Sequence, residues 1–78
     1  MESNPQLMLE DARSIREGLL RMSQIVQDAA EYLDARMESE DLDGQREAEE
    51  VREALEQVQE ISLEVSEELN AYQSRHGS

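Results

Sequence analysis

The residues with the most chemistry to offer lie between Ser39 and Glu50. Asp41, Asp43, Gly44, Glu47 and Glu50 occupy the third, fifth, sixth, ninth and twelfth positions of the twelve-residue helix–loop–helix calcium pattern. Such a loop works by turning several oxygens inward on a hard cation, with glycine supplying the sharp bend. Two positions depart from it. Ser39 stands where the leading aspartate belongs, and Arg46 where an apolar residue normally pairs with a second loop. An acidic turn running into a glutamate-rich helix start produces the same coincidences. The sequence therefore assigns no metal, and Asp41, Asp43, Glu47 and Glu50 stand as an alternative calcium loop.

A second set is purely acidic. Glu49, Glu53, Glu56, Glu60, Glu64, Glu67 and Glu68 fall on the outer surface of a predicted second helix. Several are like-charged neighbours four apart, each such pair costing about 0.2–0.5 kcal/mol. Only Arg46 and Arg52 lie in that helix to relieve them. The plain reading is a solvated face. The functional one is that Glu53, Glu56, Glu60, Glu64 and Glu67 dock on a basic surface of a partner protein, or imitate DNA and occupy a nucleic-acid-binding protein.

Catalysis finds little to use. There is no Cys–His or Ser–His–Asp arrangement on a turn, no glycine-rich phosphate loop, and no Glu-x-x-His of the di-iron bundles. The one histidine, His76, falls in a predicted frayed tail and receives no role. Carboxylates on exposed helix faces have no pocket to tune them as acid or base. The expectation is a protein that is not an enzyme and carries no cofactor.

Composition narrows the partners. The 78 residues carry a formal net charge of −13, from 20 acidic and 7 basic residues, and every basic one is arginine. That balance argues against direct binding of nucleic acid, which needs clustered positive charge, and against anionic membrane surfaces. No apolar run approaches the ~18 residues needed to span a bilayer. Met1-Glu2-Ser3-Asn4-Pro5 lacks the basic start and apolar stretch of a signal peptide, so a cytoplasmic protein is expected. With no cysteine, disulfides and thiolate sites are excluded.

Two apolar seams must position all of this. Met8, Ala12, Ile15, Leu19, Met22, Val26, Ala29 and Leu33 alternate in steps of four and three; Ala48, Val51, Leu55, Val58, Ser62, Val65, Leu69 and Tyr72 do so in steps of three and four. Each is the stripe of an amphipathic helix that another helix must cover. Asn4 as cap and Pro5 at the first position start helix one, with Ser3 and Gln6 as a rival capping box, and it runs to about Glu38. Residues 39–44 have turn composition, with Asp41 or Asp43 as the next cap and Leu42 as a plug for the bundle end. Helix two runs from about Gln45 to about Gln73, and residues 74–78 fray. Gly18 lies beside the seam, either as a tolerated defect or as a place where another helix comes close. Ser62 interrupts the second seam, bonding back to its own turn or fixing register between copies.

A turn this short predicts an antiparallel two-helix hairpin, all-α and coiled-coil-like, in a single domain. Folding about it sets Leu33 near Val51, Val26 near Val58, Leu19 near Val65 and Ala12 near Tyr72. Leu9, Leu20, Ile25, Tyr32 and Met37, with Ala54, Ile61 and Leu63, widen the apolar faces beyond what one helix covers. Two hairpins are therefore expected to pair into a four-helix bundle as a homodimer, through Ile15, Leu19, Met22, Val26, Leu33, Val51, Leu55, Val58, Val65 and Leu69. The alternative cover is a foreign helix. The function this points to is a non-enzymatic interaction module, a small acidic adaptor, chaperone or inhibitor.

Overall fold

The computed structural model describes residues 5–77, so the expected Asn4 cap and Ser3 capping box lie outside the described residues. Two helices, α1 (Pro5–Glu38) and α2 (Gln45–His76), pack as an antiparallel hairpin, and among the described residues there is no strand. The rod measures 59 × 17 × 13 Å. No helix among the described residues is long and apolar enough to cross a membrane.

The reversal is made by backbone hydrogen bonds, not by the expected aspartate caps. At the end of α1 the Asp41 N–H reaches the Arg36 carbonyl at 3.0 Å and the Glu40 N–H reaches the Met37 carbonyl at 3.2 Å. These are the two bonds of a Schellman ending, which needs a left-handed residue between them. Glu40 supplies it at φ 53° in place of the usual glycine. Gly44, at φ 85°, then starts α2 with no side-chain cap of its own. Instead Glu47, three residues into the helix, turns its carboxylate back onto the Gly44 and Asp43 N–H groups at 2.6 and 2.7 Å. Asp41 and Asp43 are thus freed from capping. Leu42 does not plug the end either, being 59% exposed.

The packed seam is rotated from the expected one. Along α1 the covered positions are Met8, Asp11, Ile15, Gly18, Met22, Ile25, Ala29, Tyr32, Leu33 and Arg36. Along α2 they are Glu47, Val51, Ala54, Val58, Ile61, Val65, Glu68, Ala71, Tyr72 and His76. Every second expected position is kept, and Leu33 with them. The others give way to their neighbours: Gly18 replaces Leu19, Ile25 replaces Val26, Ala54 replaces Leu55 and Ile61 replaces Ser62. Ile25, Tyr32, Ala54 and Ile61, read from sequence as lying off the seam, are therefore in it. The expected register holds to within a residue, since Val65 meets Gly18, next to Leu19.

The cause is visible in the seam itself. Gly18 is buried, and a β-carbon added there would collide with Val65 Cγ2, so Val65 packs directly onto α1 where it has no side chain. Turning that margin inward also lets seam polar groups pair. Ile61, 6% exposed, is the only buried apolar side chain among the described residues.

Candidate interaction surfaces

Each end of the rod is tied by ions lying in the seam. At the turn, Arg36 Nε donates to Glu47 Oε2 at 3.0 Å while its guanidinium sits 5.6 Å from the Tyr32 ring centre. Asp41 stands 4.0 Å from the same guanidinium. The Gly44 N–H bond, then the Asp43 N–H and Arg36, hold the Glu47 carboxyl below its ordinary value against the opposing pull of desolvation. This is why a charged residue can occupy a buried position.

At the open end, Asp11 Oδ2 lies 2.9 Å from His76 Nε2 and accepts from Arg75 Nη2 at 2.8 Å. The His76 bond first, then Arg75, lowers the Asp11 carboxyl from its ordinary value. His76 also packs edge-on against Tyr72, ring centres 4.9 Å apart, and its side chain is only 5% exposed. The expectation of a frayed, partnerless tail is corrected: α2 continues to His76 because its last turn has an acid to reach across the seam. Nδ1 of the same ring is buried without a hydrogen-bond partner.

The calcium arrangement is not assembled. Glu47 is committed to Arg36 and two N–H groups, whereas Asp41, Asp43 and Glu50 are exposed. Among the described residues no three acidic or histidine side chains are grouped to hold a metal ion.

The rotation of the seam leaves an apolar lane outside it. Leu19, Val26, Leu55 and Leu69 are 52, 53, 60 and 44% exposed, and Ala12, Ala48 and Ser62 are exposed with them. Both helices contribute to one face. A shallow depression of about 220 Å³ is lined only by Val26, Ala29, Ala30, Leu33, Val51, Ala54, Leu55 and Val58. Another, of about 490 Å³, lies at the open end against Pro5, Met8, Leu9, Ala12 and Tyr72. On the opposite side of the seam the corresponding hollow includes Asp28, Glu50, Glu53 and Gln57. The hairpin is two-faced.

No family model, curated protein or solved structure matches the chain. The surfaces must be read on their own chemistry.

The expected self-association residues divide accordingly. Ile15, Met22, Leu33, Val51, Val58 and Val65 are half-buried between the helices of one chain, whereas Leu19, Val26, Leu55 and Leu69 stand in the outer lane. Among the acids, Glu53, Glu56, Glu60, Glu64 and Glu67 are exposed on α2, and Glu53, Glu56 and Glu60 share one hollow. Glu68 leaves that row. It is half-buried in the seam and accepts from Ser14 Oγ at 3.0 Å. Sequence reasoning missed Asp11, Arg36, Glu47 and His76 as paired groups; the signal was their spacing, each falling in step with the apolar positions of its helix.

Proposed function

We propose that this chain is a non-enzymatic protein–protein interaction module, a hairpin that pairs with a second copy into a four-helix bundle. Its acidic α2 row then faces outward, toward a partner with a basic surface, in the manner of a small adaptor, chaperone or inhibitor. The observation that carries the reading is the outer lane. Leucines and a valine roughly half exposed along both helices form a contiguous apolar strip, and such strips mark surfaces made to be covered. The thinness of the hairpin's own core points the same way, because chains this short need a staple, a metal or a second chain. The non-enzymatic part rests on the acids: those of the α2 row are exposed, and exposed carboxylates have no enclosure to tune them.

Light scattering over a dilution series tests the pairing. The expected mass is twice the 9.0 kDa of one chain; a stable, cooperatively melting monomer in dilute solution overturns it. Capture from the native host at ~150 mM salt, where surface charge is screened over ~8 Å, tests the acidic row. Retention that weakens with Glu60→Lys or Glu64→Lys is the expected result, and no protein retained removes charge-driven docking.

A further inference from the structure

We propose that the occupant of the outer lane is a second copy lying antiparallel on it, about a two-fold axis at mid-rod near Ser62. The proposal rests on the self-pairing above and adds its face and its orientation.

The first observation is where carboxylates are missing. The seven lane positions and the ten of the next row outward contain none, although 20 of the 78 residues are acidic. That next row includes Arg16, Ser23 and Ala30 on α1 and Arg52, Gln59 and Ser66 on α2. A face that stays in water gains nothing by excluding acids. A face that will be dried does, because a carboxylate buried without a partner is costly.

The second observation is size. The rod is 59 Å long and 17 Å across, with lane residues on both helices. Covering that face buries on the order of 800 Å² per copy, the area of an ordinary stable interface. One foreign helix, about 10 Å wide, would leave part of the strip wet. A second hairpin matches both its length and its width. The only charged residues in that next row are arginines, Arg16 and Arg52, so no carboxylate is set at the margin of the lane.

Orientation follows from the two ends. Residues 34–53 at the turn hold nine carboxylates and three arginines; residues 5–20 and 65–77 at the open end hold five carboxylates, three arginines and His76. Parallel stacking would press the two turns together inside one screening length. Antiparallel stacking sets each turn against the less acidic end. Ser62, opposite the middle of α1, then meets its own copy near the axis, where a polar residue fixes register.

The 78-residue chain has no cysteine, so single-cysteine variants each take one nitroxide label. Glu49, Glu56, Leu63 and Asn70 all face outward on α2. Label-to-label distances should be shortest at Leu63 and lengthen toward both ends, by up to ~40 Å of axial separation at Glu49. Equal distances at all four positions overturn the antiparallel arrangement. Leu19→Asp with Leu55→Asp should reduce the mass to one chain while helix content is kept. A dimer that survives this change overturns the face but leaves self-pairing standing; a wild-type chain that is monomeric throughout removes both. Should the double variant unfold, the label distances still decide.

Discussion

Val65 lies over Gly18 so closely that a β-carbon on Gly18 would run into its Cγ2 methyl. Gly18→Ala should therefore destabilise, although alanine is the better helix former by about 1 kcal/mol. Overpacking of this kind costs about 1–3 kcal/mol, and a valine in a helix has one strongly preferred rotamer and cannot swing aside. Urea unfolding should show a net loss of ~1 kcal/mol, the difference between those effects. Adding Val65→Ala should cost less in the Gly18→Ala background than alone, the sign of direct coupling. A stabilising Gly18→Ala would show that the helices do not meet there.

Acidification should strip out the two seam carboxylates. Glu47 and Asp11 both have lowered values in the folded chain, from ordinary values of 4.5 and 3.8. The stability they contribute is thus fully present above pH ~4.5 and is lost as pH falls through their lower folded-state values. Thermal melts of wild type and Glu47→Gln should differ at pH 7 and converge as pH drops well below 4.5. A constant gap across that window would mean that the ionised form of Glu47 is not the one the fold favours.

Glu40 holds a left-handed conformation that suits glycine better, at φ 53°. Glu40→Gly should raise stability by about 0.5–1 kcal/mol, the left-handed cost less the added freedom of the unfolded chain. Gly44→Ala should lower it by about 1 kcal/mol or more, because φ is 85° there and no contact compensates. Differential scanning calorimetry separates the two by sign.

Glu60 has Glu56 and Glu64 one turn away on either side, all three exposed. Glu60→Lys converts two repulsive pairs into attractive ones, each change worth about 0.4–1 kcal/mol at low salt. The variant should melt higher than wild type at low ionic strength, with the advantage shrinking at 1 M salt as screening shortens. An unchanged melting temperature at low salt would mean that the row carries no stored repulsion.

Much of the fold was legible because helix periodicity and turn composition are local. The bounds of α1, the position of the turn and the antiparallel register could all be read from them. The phase of the seam could not. Hydropathy centres on the middle of a broad apolar band, and so selected Leu19, Val26, Leu55 and Leu69. The hairpin instead buries one margin of that band, where Gly18 admits Val65 and where Asp11, Arg36, Glu47, Glu68 and His76 find partners on the other helix. Those gains exist only once the chain is bent double, which is why residue-by-residue hydropathy passes over them. The end of α2 was misread for the same reason, since His76 is held by an acid 65 residues away in sequence.

Ile61 is the one apolar side chain among the described residues that a single hairpin encloses. Opening a lone copy would bring little fresh hydrocarbon to water, so its melt should be broad and its heat-capacity step small. With pairing as proposed, the steepness of unfolding comes from encounter between copies, and durability becomes a matter of abundance. Scarce chains would exchange their amide hydrogens quickly and present cleavable backbone to proteases. Plentiful ones would shield each other, so that the amount of the protein present sets how long any one molecule of it lasts.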